Sequence, residues 1–595
     1  MVVTAELPLI ASAFAFAVAA LILALPRRRF RWRARGALVA GAVASLLPLL
    51  AFPLRDPTRA AGRALWEWSA VGGPTVQASY RFDGIAALGI AVSLGYTTAS
   101  LLAVQRASRR HQLLPAIVLA NGLVAIALCV TDDLVAATVV LGVVAALTGA
   151  AQLLVAPASA AARLAGFYAL GTQAFVVAAL LMSRTGTASF AFSDIRPTSI
   201  SPGVVLAASL GAALFAGLYP FVPWRYEGER TRAPEREPLR GILAMPAGFG
   251  ATLVLVRLLG ASDIELATLA LPQAPSALRI AGAALVIALV LAFVGRRRPI
   301  PRTPAVVGAA LLVGVALYPD LHWSHAVLVG ALLSVIYAAA VSLALPEQWE
   351  VVRYAVTLAA LWIALAVGTP LAIASGLFLA FADSVGAMLG AIWLPPHRWY
   401  VARVSSATAY VAGVLGIAAG IGAAPDLATQ VLAVVALIAL LLLVLVHIGR
   451  ELSDATVPTA LEGTAGAVAV LGTILLTLLA GSSIHTGLEE TLGRPLGPTG
   501  PSGPFVVPAL VASATMLVVV ARTLRPLLPD LGAVAGRLRP IVLAVDPVPG
   551  VLASFRLLER SATSSTAAFN LLEQRGGVWL AALLIFGLLL WATRA

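Results

Sequence analysis

Few side chains in this 595-residue chain are chemically versatile, and those few sit in apolar surroundings. Asp383, followed by Ser384, lies within a long apolar stretch. A carboxylate there can carry a proton, or it can pair with an arginine or a water pocket and fix helix packing. Asp132 and Asp133 stand side by side where another apolar stretch begins. Arg257 falls near the outer end of its stretch, where a long side chain is expected to snorkel to the interface in a structural role. His322 and His325 flank Trp323. They could tune a pH response, but two histidines without a third ligand make a weak metal site, so an interfacial belt with Trp323 is the better expectation. His447 closes an apolar run and reads as interfacial, while Asn121, Gln152 and Gln173 are suited to gluing helices by hydrogen bonds.

The charge inventory limits this chemistry further. All 40 basic residues are arginine; the chain has no lysine. Arginine stays charged at physiological pH, whereas a desolvated lysine can release its proton. GC-rich coding accounts for much of this bias on the surface, but it cannot supply a missing proton carrier inside a membrane. No nucleotide-binding loop, paired cysteines or heme-binding spacing occurs, so no cofactor and no metal is expected in this chain. The single cysteine, Cys129, allows neither an internal disulfide nor a metal cluster.

Hydrophobic residues make up 60% of the chain and charged residues 11%. A soluble domain carries about 25% charged residues. Apolar runs of about 18 residues or more recur along the whole length, enough to cross a bilayer core of about 30 Å. The fold class expected is an all-α polytopic membrane protein with about 16–18 transmembrane helices. The first apolar run is followed, not preceded, by Arg27-Arg28-Arg29, so it reads as a retained span rather than a cleavable signal. With the N-terminus outside, 30 of the 40 arginines fall in inside loops, among them 346–353 with Arg353. The net charge of +13 is therefore a topology signal for a bilayer, not a nucleic-acid footprint. Residues 526–576 are too polar to span. Leu552, Phe555, Leu558, Ala562, Phe569 and Leu572 lie there mostly at helical spacing, which suggests an amphipathic helix along the membrane surface.

Two breakers punctuate the spans: Gly217-Leu218-Tyr219-Pro220 near the end of 200–222, and Gly368-Thr369-Pro370 within 354–394. Paired interrupted helices point to an inverted-repeat transporter core. With these in place, the region 80–395 resembles the antiporter-like membrane subunits of respiratory complex I, hydrogenase-4-type complexes and Mrp antiporters. Asp83-Gly84 looks like the opening of that family's third span, and Asp132-Asp133-Leu134 like the acidic start of its fifth. The stretch ending Leu218-Tyr219-Pro220-Phe221-Val222-Pro223-Trp224 is similar to its broken seventh helix, and Leu253 to Arg257 to the end of its eighth. Gly368-Thr369-Pro370-Leu371 with Gly376-Leu377-Phe378 resembles its broken twelfth helix.

The resemblance implies two inverted five-helix repeats with broken helices and a C-terminal surface helix. The corresponding division is N-terminal helices 1–112, a first repeat 113–259, a second repeat 277–394, C-terminal helices 395–525, a lateral segment 526–576 and a final helix 577–595. It also implies a buried line of Lys, Glu and His at mid-membrane, and here the chain departs from the pattern. The glutamate expected in the fifth span aligns with the uncharged stretch Leu141-Gly142-Val143-Val144. Phe215 and a position near Ala380 stand where lysines are expected, and 241–256 holds no counterpart of the eighth-span lysine or histidine. Of the ion-path candidates Asp383, Ser384, Asp132, Asp133, Arg257, His322 and His325, Asp383 is the foremost.

The function implied is that of a membrane-arm subunit of a complex-I-like, hydrogenase or Mrp-type proton- or cation-translocating assembly. Its path would be degenerate or rerouted and its role that of a scaffold. Other membrane subunits would be its partners, and a prokaryotic cytoplasmic membrane its location. The competing reading is a stand-alone permease, or the membrane partner of a peripheral enzyme, for example in inorganic-carbon uptake.

Overall fold

The computed structural model describes residues 3–24, 63–69, 74–106, 113–156, 158–187, 189–195, 200–219, 221, 237–261, 322–344, 349–392, 400–422, 424 and 426–453, with a few single positions in 36–48 and at 517. Pro220, the lateral segment 526–576, the final helix 577–595 and much of the second repeat (277–321) lie outside the described residues.

The described chain is helical apart from one hairpin. After α1 (Val3–Ala24) come β1 (Arg63–Ser69) and β2 (Thr75–Tyr80), paired antiparallel with a register shift between Ala64 and Trp66. Then follow α2 (Gly84–Arg106), α3 (Leu114–Val130), α4 (Leu134–Val155), α5 (Ala158–Arg184), α6 (Pro202–Ala216) and α7 (Glu237–Gly260). The remainder is α8 (Trp323–Ala344), α9 (Trp349–Val367), α10 (Pro370–Ile392), α11 (Tyr400–Ile421) and α12 (Leu427–Ser453). Among these, α2, α4, α5, α7, α8, α10 and α12 are long and apolar enough to cross a bilayer. Helices dominate because a lipid-facing backbone must satisfy its own hydrogen bonds. The hairpin was not expected. It lies outside the helices, where β1 presents Leu65, Trp66 and Trp68 with more than half of each side chain exposed.

Glycine sets the close helix contacts. A Cβ on Gly95 of α2 would lie 2.6 Å from Ser384 Oγ and 3.1 Å from its backbone carbon on α10. Across α5 and α6, Gly171 and Gly211 face each other's backbone carbonyls at 2.9–3.0 Å from their ideal Cβ positions. Gly413 brings α11 against Leu379 of α10 in the same way. Small residues let backbones approach where lipid supplies no hydrophobic drive for association.

The two breakers differ in outcome. At the first, α6 ends at Ala216 on Gly217 in the left-handed conformation (φ 67°), which a glycine adopts without strain. The Cβ position of Gly248 is 2.9 Å from the Phe215 carbonyl oxygen, and Gly248 sits about 16 Å along α7 from its start. Helix α6 therefore stops at mid-depth. The backbone beyond it is satisfied internally: Ala213 O accepts from the Gly217 and Leu218 amides, and the Tyr219 amide donates to Ser334 Oγ on α8 at 2.7 Å. This is irregular backbone buried in protein, as the bilayer requires.

The second breaker does not interrupt a helix at mid-membrane. Gly368 (φ 73°) closes α9, Thr369 caps α10 by accepting from the Ala372 amide, and Pro370 occupies the first position of α10. The Cβ position of Gly376 lies 2.7 Å from Ala364 Cβ, and Arg353 of α9 reaches Asp383 of α10. Helices α9 and α10 thus form an antiparallel pair with Gly368–Pro370 at the turn. Helix α10 runs unbroken from Pro370 to Ile392. Glycine and proline are as well suited to a tight helix–helix turn as to a break.

Candidate functional site

Most of the expected site residues gather on one face, the face of the hairpin. Asp83 ends the turn after β2 and caps α2, accepting from the Ala86 amide at 2.8 Å. Arg257, one turn from the end of α7, does not snorkel. Its side chain is 3% exposed and points inward. One guanidinium nitrogen lies 3.0 Å from Asp83 Oδ1 and donates to Cys129 O at 2.8 Å; the other donates to Thr131 O at 3.2 Å and stands 3.8 Å from Asp132 Oδ1. Asp132 accepts from Ser193 Oγ at 2.7 Å. Burial pushes its carboxyl above the ordinary carboxylate range, against the pull of Arg257 and Ser193. Asp133 caps α4 through the Ala136 amide and accepts from the Gln77 amide of β2. Burial raises it too. The cluster therefore ties the hairpin, the α3–α4 turn, the 189–195 loop and the end of α7 into one closed plate.

The histidine pair lies on the same face. His325 Nε2 is 3.2 Å from Asp426 Oδ1, and its Nδ1 accepts weakly from the His322 amide at 3.4 Å, which places the donated proton on Nε2. Asp426 caps α12, accepting from the amide and hydroxyl of Thr429 at 2.7 and 2.6 Å. Burial pushes the Asp426 carboxyl up, but the Thr429 and His325 contacts outweigh it and leave it below the usual value. The pair joins the starts of α8 and α12, and His322 and His325 meet edge to face at 5.4 Å. No group of three or more metal-ligating side chains occurs among the described residues.

Asp383 is placed differently. It lies about 20 Å along α10 from the hairpin face, and Tyr96 about 18 Å along α2. The carboxylate is fully buried. Tyr96 Oη donates to Oδ2 at 2.7 Å, Arg353 Nε donates to Oδ1 at 2.5 Å, and Arg353 Nη2 also reaches the Asp383 carbonyl at 3.4 Å. Ser384 turns back to the Phe381 carbonyl at 2.7 Å. Tyr354 meets the Tyr96 ring at 5.8 Å and 71°, and Thr357 Oγ1 donates to Tyr410 Oη at 3.3 Å. Arg353 had been assigned to a loop. Its place in the first turns of α9, opposite Asp383, follows only once the α9–α10 turn is known.

Beside this cluster is a cavity of about 50 Å³, room for about three waters. Gln152, Tyr168, Arg240 and Tyr354 supply its polar lining, and Phe215 and Ala216 form its wall at the end of α6. Gln152 donates to Arg240 O at 2.6 Å and Tyr168 Oη to Ala244 O at 3.2 Å. Phe215 stacks on Tyr168 at 4.7 Å. Leu141, Phe215 and Ala380 are all buried, so apolar packing fills the positions at which the resemblance implied charge.

No protein-family model and no curated protein matches the sequence. Solved structures do. The chain superposes on a chain of the Mrp complex from Dietzia sp. DQ12-45-1b with a TM-score of 0.55 and 16% identity, covering 94% of this chain and 63% of that one. It therefore spans a little under two thirds of the Dietzia chain. A chain of the membrane-bound sulfane sulfur reductase, an archaeal respiratory membrane complex, aligns with a TM-score of 0.52 and 13% identity over 86% of this chain and 99% of its own. A chain of Thermus thermophilus respiratory complex I with bound NADH gives 0.50 and 16% over 86% and 99%. The chain shares the fold of these membrane-complex chains. Among the described residues, the buried Asp and Arg side chains lie in two places: the hairpin plate and the Asp383 cluster.

Proposed function

We propose that the chain is a membrane-arm subunit of a multi-protein, complex-I-like, hydrogenase-type or Mrp-type assembly, in which it serves as a scaffold with a degenerate proton path. One observation carries the reading. An antiporter-like fold is retained, while its mid-membrane positions hold Leu141, Phe215 and Ala380, and the one carboxylate deep within a described span, Asp383, is bound to arginine. The assemblies that contain the similar chains are membrane complexes, which supports a subunit role. Redox centres would belong to partner subunits, and this chain would bring no cofactor.

The arginine bias supports an orientation in a prokaryotic cytoplasmic membrane with the hairpin plate outside and the cavity side inside. Among the described residues, the cavity of about 50 Å³ with mostly apolar walls is small for a hydrophilic substrate, which favours the subunit reading over a permease. Extraction of native membranes in a mild detergent tests the proposal. A subunit elutes in a stoichiometric complex with redox or ion-translocating proteins; a chain that elutes alone and intact refutes it.

A further inference from the structure

Of the three amides suited to joining helices, two do so within the chain. Asn121 Oδ1 accepts from Thr148 Oγ1 at 3.3 Å, and Gln152 donates to Arg240 O at 2.6 Å. Gln173 does not. It stands on the exposed face of α5, about 20 Å after Ala160 and about 17 Å before Arg184, and so near the middle of that span. Among the described residues no hydrogen bond reaches its side chain. An amide facing hydrocarbon leaves its donors and its acceptor without partners, and lipid tails offer none. Gly166 lies on the same face, about two turns earlier. A Cβ added there would meet nothing within 4 Å, unlike those at Gly171 and Gly211, so no contact inside the chain requires glycine. Glycine weakens a helix interior, and its use on a membrane helix is to let another backbone approach. The face runs Ala162, Gly166, Ala169, Gln173, Val176 and Leu180, alternately four and three residues apart, which is the spacing of a helix–helix seam. The exposed stripe of α12 from Leu427 to Leu442 carries only apolar side chains, as contact with lipid requires.

We propose that this face of α5 is the docking seam for one transmembrane helix of a partner subunit, and that the partner helix presents a hydroxyl or amide side chain to Gln173 at mid-depth. The inference rests on the subunit reading and names the surface through which the chain joins its assembly. Ala162, Gly166 and Ala169 admit the partner backbone closely on the cavity-side half, and Val176 and Leu180 pack against it on the other half. A single amide within an apolar seam fixes the register, because a slipped helix leaves polar groups on both sides without partners. A lipid tail fills the same groove but gives the amide nothing to bond.

The test uses the full-length chain in its native membranes, extracted in a mild detergent. Gln173→Leu is expected to lower recovery of the co-eluting proteins about fivefold, and Gly166→Leu on the order of tenfold. Val435→Phe, an enlargement on the apolar stripe of α12, is expected to leave recovery unchanged. A benzophenone amino acid in place of Val177, at the edge of the seam, is expected on illumination of intact membranes to form an adduct with one of those same co-eluting proteins. Gel filtration checks the folding of each variant; should Gly166→Leu aggregate, Gln173→Leu, which replaces an exposed side chain by an apolar one, still decides. Unchanged recovery with both seam variants, or an adduct formed only with a second copy of this chain or only with lipid, overturns the seam and leaves the subunit proposal standing. A wild-type chain that elutes alone refutes the subunit proposal itself, and the seam with it.

Discussion

Arginine, when buried, acts in this chain as a fastener. Arg257 holds Asp83, Thr131 and Cys129 at the end of α7, and its removal would strand the Asp83 carboxylate in a site with 0% exposure. Arg81 Nε approaches Asp83 Oδ2 at 3.4 Å but without hydrogen-bond geometry, so it does not replace Arg257. Arg257→Met is therefore expected to cost about 3–5 kcal/mol. A thermal-unfolding series in detergent checks this, and a change near zero would mean that the plate is held by its backbone bridges alone. At the second pair, the single changes Arg353→Met and Asp383→Leu should each destabilise more than the two together, because each leaves an uncompensated charge. A double-mutant cycle measures the coupling; additive effects would show that the pair is not the unit described. Asp383→Asn likewise breaks this ion pair.

The Asp426–His325 contact gives a pH dependence of stability. The folded carboxyl of Asp426 lies below its ordinary value of about 3.9, so its contribution is present above that value and is lost as pH falls through the folded value. Asp132 and Asp133, raised by burial, act in the opposite sense: they favour the folded chain at lower pH and lose that contribution as pH rises through their raised values. Asp426→Asn should flatten the acid limb of a stability–pH curve between about pH 5 and pH 3 while leaving the neutral region little changed. An unaltered acid limb would assign it to other carboxylates.

At the scale of elements, glycine-lined contacts decide how closely helices approach. At Gly95 an added side chain meets the Ser384 backbone, which cannot yield as a flexible side chain can. Gly95→Val is expected to destabilise by about 1–3 kcal/mol and to move α10 away from α2. Melting temperature and cross-linking between cysteines placed on the two helices check this, and a variant as stable as the wild type would show the contact to be looser. Much of this scale was legible in sequence. Apolar length marks α2, α4, α5, α7, α8, α10 and α12, and Gly217 with Tyr219 marks the interrupted α6 because irregular backbone at that depth needs a left-handed residue and internal donors. The hairpin was missed although Gly72-Gly73-Pro74 separates two short runs rich in aromatic, Val and Thr residues. Its residues belong to no apolar span, and a membrane-scale window averages them away. Gly-Thr-Pro serves a break or a turn equally well, and here it joins two successive antiparallel helices. Arg353 was hidden because it was placed in the loop before α9 rather than in its first turns, opposite Asp383.

At the scale of the molecule, the described interior is packed with apolar side chains where a proton-translocating path would need charge. Aromatic and aliphatic side chains fill the interior beside the interrupted α6, whose Leu218 and Tyr219 amides are paired within the protein. Among the described residues, buried carboxylates sit at the hairpin face, where they tie loops and helix ends together, and at the arginine-bound Asp383. The most direct test of this account is the ion flux of the wild-type chain reconstituted alone into sealed vesicles under an imposed proton or sodium gradient. The account predicts a rate indistinguishable from that of protein-free vesicles. A sustained flux through the wild-type chain, abolished by Asp383→Asn in a variant that remains folded, would contradict it.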